Sequence, residues 1–314
     1  MGCGKKISLA VLAVIMLAAA DLCCGGAPAD AVVMLKFRLP RMLSALIAGA
    51  GLSLAGLQMQ SVFRNPLADP HIMGVSAGAS LGAAIMTMAF PAFALAQWGG
   101  LSIALAAFLG AAAASLAVVA ASSRIGSASV LLVFGVLLGF VVSALTSVLE
   151  YSASEQSLKV FYNWSAGNFA ANSYADIAMM AAALAAGLLL AISGRRGLDV
   201  IVFGESYAMS IGASPVRIRV RALLGCCIVT GAVTAFCGPI GFVGIVGPHI
   251  ARWVLRSSTH RWTIPGSVLC GSAVSLLADM IVASVRFPLP VGSAMAFLGI
   301  PVIIVIMLCS RRTI

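Results

Sequence analysis

Long uncharged runs separated by short polar segments predict about ten membrane-spanning helices in this chain. Residues 42–62, for example, contain no charged side chain. About 20 residues rising about 1.5 Å each cover a hydrocarbon core of about 30 Å. The predicted spans are residues 7–24, 42–62, the run after Pro70 that contains Gly74, Gly78 and Gly82, then 98–121, 130–149, 176–193, 222–237, 238–252, 263–285 and 291–308.

Small residues shape two of these spans. Gly74, Gly78 and Gly82 recur every four residues and predict a face that another helix approaches closely. Residues 238–252 are interrupted by glycine and proline, and non-helical backbone at membrane depth persists only where protein or water satisfies its polar groups. We therefore expect a broken eighth span in the protein interior.

Two polar segments have distinct predicted structures. Residues 64–70 contain two prolines and two charges, which predict a hairpin at the membrane interface. The longest cytoplasmic loop, residues 195–221, predicts a helix over residues 200–211, followed by Gly212 and stopped by Pro215.

A third polar segment, residues 150–175, allows two interpretations. Phe161, Tyr162 and Trp164 lie among its polar residues. These aromatics form either an interfacial belt or part of a short amphipathic helix at the outer end of a pore.

Composition agrees with the pattern. Hydrophobic residues make up 61% of the chain, charged residues 9%, and the mean hydropathy is +1.10, values far outside the range of soluble proteins. Because no polar stretch is long enough for a separate soluble domain, residues 1–314 are interpreted as a single integral membrane domain. Residues 7–24 are of span length without a clear cleavage site, so we expect a retained first helix.

The net charge of +10 is explained by topology. With ten spans and a cytoplasmic N-terminus, 14 of the 19 Lys and Arg residues fall on the cytoplasmic side, as the positive-inside rule requires. Both termini are then cytoplasmic, the C-terminal one after the tenth span. The charge therefore indicates membrane lipid as the surrounding partner and no nucleic acid.

The chain lacks the motifs of an enzyme. Its three histidines, His71, His249 and His260, are far apart in sequence without an HExxH motif, and no GxxxxGK[ST] phosphate loop is present. The eight cysteines contain no CxxC pair and indicate neither a metal site nor a disulfide. We predict no catalytic residue, no metal and no cofactor bound by this chain; ATP, if used, binds another chain.

Asp279 is the best candidate for an ion-coupling carboxylate, since it lies about two thirds along the ninth span. A charge at this depth is expensive and is retained for a reason. We expect it to bond neighbouring backbone or cap a helix; a coupling role is the alternative.

Three motifs together resemble a known family. RLPR at residues 38–41, the small-residue helix that follows, and RNPLADPHIMGVSAG at residues 64–78 are similar to the membrane subunits of ABC importers for iron-siderophores, heme and cobalamin, the type II importer permeases. The resemblance extends from Arg38 to the C-terminus. It implies an all-α fold of about ten helices with an inverted repeat. A weak internal repeat agrees, since Pro-His-Ile at residues 70–72 recurs at residues 248–250.

The resemblance also implies functional residues. The segment that docks into a groove on the ATPase contains Gly204, Glu205, Ala208 and Gly212. A path lined by the fifth span and its counterpart has an inner gate at Asn65, Leu67, Ala128 and Ser129. Arg38, Arg41 and Arg286 meet carboxylates of a substrate-binding protein on the outer side; interfacial anchoring is their alternative role.

The implied assembly has two ATPase subunits, a binding protein and a second permease copy, or a closely related permease in its place, in the bacterial cytoplasmic membrane. Iron-siderophore or heme is the first expected cargo and cobalamin the second. An ion-coupled secondary transporter is the alternative function, and an intramembrane enzyme is a more distant one.

Overall fold

The computed structural model describes residues 2–24, 30–95, 99–285 and 289–310. Twelve labelled helices make up nearly all of this part of the chain, which contains no strand. They are α1 (Cys3–Cys23), α2 (Ala31–Phe63), α3 (Val75–Ala89), α4 (Gly99–Arg124), α5 (Ala128–Ser152), α6 (Glu155–Ser165), α7 (Tyr174–Ile201), α8 (Glu205–Ser210), α9 (Pro215–Cys237), α10 (Val243–Leu255), α11 (His260–Ser284) and α12 (Val291–Ser310).

The prediction of about ten spans agrees with these helices. Seven of the described helices are long and apolar enough to cross a membrane, namely α1, α2, α4, α5, α7, α9 and α11. The three shorter apolar helices α3, α10 and α12 occupy the predicted third, eighth and tenth spans. Span four was predicted to start at Trp98, which lies outside the described residues; α4 begins at Gly99.

α2 is the central helix of the bundle, and its small residues allow neighbouring backbones to approach closely. A Cβ on Gly49 would collide with the carbonyl of Gly271 in α11, and one on Gly56 with that of Gly244 in α10. Ser53 Oγ donates to Ser267 O of α11 at 2.7 Å. Association in lipid depends on such close contacts and interhelical hydrogen bonds, so the uncharged run of residues 42–62 is an interior helix.

The glycines of the third span have two different roles. Gly78 and Gly82 pack against the backbone of α4, which confirms the predicted close approach. Gly74 precedes α3 in the left-handed conformation, with φ +77°, and lies against Gly135 and Gly139 of α5.

The two charges of the hairpin at residues 64–70, both predicted to prefer the interface, differ in their burial within the protein. Arg64 is exposed, but Asp69 is only 5% exposed. The Asp69 carboxylate caps a short 3-10 turn, Pro70–Met73, by accepting from His71 N at 2.9 Å. The turn is fixed against α5, because Met73 and Gly74 pack against Gly135 in the second turn of that helix.

The helix predicted over residues 200–211 is present but shorter than predicted. α7 continues from the sixth span to Ile201, well past the predicted end at residue 193, and a separate helix, α8, follows at Glu205–Ser210. Gly204 separates them with φ +118°, a conformation open to glycine and strained for other residues. The predicted loop of residues 195–221 is therefore mostly helical, since α9 already begins at Pro215.

The broken eighth span is confirmed. Gly238 adopts φ +75° after α9, and the chain resumes a helix at Val243. Its backbone polar groups are satisfied by protein, since Asn168 N donates to Cys237 O at 2.9 Å and His71 Nε2 bonds Ile240 O at 2.6 Å.

Residues 150–175 contain the short helix that one of the two interpretations predicted. α6 starts with Ser154 as its cap and buries Phe161. Trp164 Nε1 donates to Ala235 O of α9 at 3.2 Å, so this aromatic fixes α6 to the bundle. The two Pro-His-Ile segments differ locally: one lies in the 3-10 turn and the other inside α10.

Candidate functional site

α8 lies between two glycines whose positive φ angles are strained for other residues. Gly204 has φ +118° and Gly212 has φ +80°. Ala208 is fully buried against the bundle. The opposite side carries large apolar side chains that are 50–74% exposed: Phe203, Tyr207, Met209 and Ile211. An exposed apolar patch of this kind marks an interaction surface.

Arg219 of α9 connects α8 to the neighbouring helices. Its guanidinium bonds Glu205 Oε1 at 3.3 Å. It also donates to Ser122 O in the last turn of α4 at 3.4 Å and to two carbonyls of the α4–α5 connection, Ile125 O at 3.0 Å and Gly126 O at 3.4 Å. Arg219 is 2% exposed. The sequence prediction included Arg219 only among the cytoplasmic arginines and missed this role.

The predicted gate residues lie at the same end of the bundle as α8. Ala128 and Ser129 begin α5, two and three residues after Gly126; Ala128 is buried and Ser129 is exposed. Asn65 follows α2, and its side-chain Oδ1 accepts a hydrogen bond from Leu67 N at 3.0 Å. Leu67 is 38% exposed. Arg219 therefore joins Glu205 of α8 to the connection that precedes one half of the predicted gate.

A second arginine–carboxylate pair occupies the opposite end of the bundle. Arg41 Nε bonds Asp279 Oδ1 at 2.8 Å, and Arg41 Nη2 donates to Asp279 O at 2.8 Å. The expectation that Asp279 bonds neighbouring backbone or caps a helix is wrong, because an arginine of α2 meets its carboxylate. Arg38 donates to Leu22 O at 2.9 Å, and Arg286 lies outside the described residues.

The histidines have structural partners. His260 Nδ1 and N bond Asp199 Oδ1 at 2.7 and 2.8 Å, and its Nε2 bonds Ser61 Oγ at 2.7 Å. These contacts join the ends of α2, α7 and α11. Across the described residues no three His, Cys, Asp or Glu side chains converge as a metal site.

The described helices form a bundle in which seven are long and apolar enough to cross a membrane and one interior span is broken. The chain belongs to the FecCD transport family, whose model matches residues 5–309. It is the permease subunit of an ABC importer, with ATP hydrolysis on a partner subunit. The resemblance stated from the sequence is thereby confirmed.

Two curated relatives and one solved structure illustrate the similarity. A Helicobacter pylori protein, described as a probable iron chelatin transport system permease, is 33% identical over 272 residues, covering 86% of this chain and 80% of its own. The vitamin B12 import system permease BtuC of Citrobacter koseri is 33% identical over 317 residues, covering 97% and 94%. An inward-facing structure of a metal-chelate type ABC transporter has a TM-score of 0.87 at 26% identity, over 98% and 99% of the two chains.

Proposed function

We propose that α8 is the element through which the partner ATPase moves the gate of this permease. The observation that carries this proposal is the two-sided nature of α8. One side is fixed to the bundle by Ala208 and by Glu205, which bonds Arg219. The other side presents Tyr207 and Met209, 50% and 60% exposed, to a partner.

Arg219 gives movement of α8 a route to the gate. A displacement of Glu205 acts on a guanidinium that also holds Gly126 O and Ile125 O. The connection leads within three residues to Ala128 and Ser129. A rigid, buried arginine transmits such a shift because its planar donors bond several elements at once.

The path itself lies at the interface between two permease chains. α5 presents an exposed apolar stripe with helical spacing in which each side chain is more than half exposed: Val130, Val133, Leu137, Phe140, Val141, Leu145 and Val148. A second copy of this chain covers such a stripe and closes the path, with Asn65, Leu67, Ala128 and Ser129 of both copies at its inner end.

Arg38, Arg41 and Arg286 form the rim that receives the binding protein. Arg41 is 23% exposed at its side chain while paired with Asp279, so docking by this residue requires carboxylates that compete with Asp279 for its donors. The positive-inside distribution supports a cytoplasmic α8 end and cytoplasmic termini, in the inner membrane. Iron-siderophore or heme is the first proposed cargo and cobalamin the second.

Co-purification with the partner ATPase tests the coupling proposal. Gly212→Trp adds bulk where a Cβ meets no atom within 4 Å, so its side chain projects toward a partner. Gly212→Ala is the matched control, because it imposes the same φ strain without the bulk. We expect Gly212→Trp and Glu205→Arg to abolish the complex, and Gly212→Ala to retain it.

Two results of this co-purification would contradict the docking role of α8. A complex that survives both disruptive substitutions would overturn the coupling assignment. Loss of the complex in Gly212→Ala as well would assign the effect to the backbone of the 211–214 turn and would remove the evidence for a docking face.

A further inference from the structure

A large cavity lies at the α8 end of the bundle, between α2, α10 and α12. Its volume is about 1490 Å³. Arg64, Arg252 and Arg256 converge on it, while Val302, Val305 and Trp253 contribute an apolar wall. No carboxylate side chain lines it within the described part of the chain, and Asp199 bonds the lining residue His260.

Arg64 and Arg256 share an unusual backbone. Both end a helix in the left-handed conformation, with φ +49° for Arg64 after α2 and +52° for Arg256 after α10. Glycine is the residue best suited to that conformation. An arginine at both positions suggests that the side chain is retained for a contact of its own.

That contact is not a helix cap. Lys6 Nζ already donates to the last carbonyls of α10, Val254 O at 2.8 Å and Leu255 O at 3.4 Å. Over the residues that the structure describes, neither the Arg64 nor the Arg256 side chain has a hydrogen bond or an ion pair. Arg252 has a single bonded partner there, Gln60 Oε1. Most guanidinium donors around the cavity are thus available to an anion.

The apolar wall favours an anion that carries an apolar group, such as the headgroup of a lipid. Trp253 is 73% exposed, and on α12 Ile304 and Val305 are 51% and 58% exposed, so the wall continues onto the exposed apolar surface of α10 and α12. Tryptophan is enriched at the depth of the lipid headgroups. Basic pockets between spans on the cytoplasmic side recognise acidic headgroups.

We propose that this cavity binds an acidic phospholipid of the cytoplasmic leaflet, with its phosphate between Arg64, Arg252 and Arg256 and an acyl chain along Val302 and Val305. The inference rests on the proposed orientation of the chain. It assigns the three arginines a role in lipid recognition, although Arg64 Nη1 also lies close to Gly204, which precedes α8.

Lipid counting on the purified full chain tests this proposal. Delipidated protein is titrated with dioleoyl-phosphatidylglycerol or dioleoyl-phosphatidylcholine, and bound lipid is measured by native mass spectrometry. The variants are Arg64→Gly and Arg256→Gly, which remove the guanidinium while easing the left-handed backbone, so that folding is preserved. Arg124→Ala is the matched control, since Arg124 is exposed at the end of α4 and does not line the cavity.

We expect phosphatidylglycerol to bind more tightly than phosphatidylcholine, with a loss of about fivefold for each arginine removed. Arg124→Ala should bind like the unaltered chain. Equal affinity for the two lipids, an equal loss in Arg124→Ala, or displacement of the lipid by inorganic phosphate would overturn the proposal. Exclusion of lipid by a second copy seated on the cavity would overturn it too. Because bound lipid is counted on the permease alone, a failed ATPase experiment leaves this result unaffected.

Discussion

The two arginine–carboxylate pairs described in this permease differ in which member is buried: the arginine in one pair and the carboxylate in the other. At the α8 end the Arg219 side chain is 2% exposed and Glu205 is 25% exposed. At the opposite end the arginine, Arg41, is 23% exposed and Asp279 is 2% exposed. The member that lies inside the protein sets the cost of breaking each pair, since a buried charge without a partner is strongly unfavourable.

The surroundings make the arginine the more important member at both ends, for opposite reasons. Arg219 is itself buried and also bonds three backbone carbonyls. Arg41 is partly hydrated, but its removal leaves two buried carboxyl groups without a cation. Asp21 of α1 is 6% exposed and interacts electrostatically with both Asp279 and Arg41. One pair thus organises backbone, and the other neutralises carboxylates.

Removing Arg219 should have the largest effect. Arg219→Met leaves the carbonyls of Ser122, Ile125 and Gly126 without their donor and should lower the unfolding free energy by about 3–5 kcal/mol. Arg217→Met is the matched control, because Arg217 lies one half-turn away on α9 and is exposed; we expect a change below about 0.5 kcal/mol. Equilibrium unfolding in mixed micelles measures both, and similar values for the two variants would contradict the central role of Arg219.

At the opposite end we expect a smaller effect and an asymmetry. Arg41→Met leaves buried carboxylates unpaired and should cost about 2–3 kcal/mol. Asp279→Asn removes one acid from the group and should cost less. The double variant should cost at least about 1 kcal/mol less than the sum of the singles, as for residues in direct contact. Additive single effects would show that the pair does not act as a unit.

The spans could be predicted because length and hydropathy decide them locally. The role of Arg219 could not be predicted because Arg217, Arg219 and Arg221 alternate in one RIRVR segment. Only Arg219 is buried, and which of the three faces the interior depends on the rotation of α9 against its neighbours. Tertiary packing sets that rotation, and the sequence pattern contains no signal for it.

The burial of Asp69 and the bounds of the 200–211 helix could not be predicted, for related reasons. Charge and proline predicted a turn at residues 64–70, but its burial depends on the contact of Gly74 with α5. The fall in hydropathy at Arg195 predicted the end of a span, whereas α7 continues to Ile201, since helical hydrogen bonds do not require lipid. Hydropathy predicts the membrane boundary, which is a different quantity from the helix boundary.

Removing the charge of Glu205 should have the smallest effect on stability. Glu205→Gln keeps an acceptor for Arg219, whose three carbonyl partners remain, and a partly exposed ion pair contributes about 0–1 kcal/mol. Any difference from the unaltered chain should disappear in about 1 M salt, where charges are screened within about 3 Å. A salt-independent loss of several kcal/mol would mean that the Glu205 carboxylate is shielded from solvent. The two pairs would then no longer differ in which member is buried.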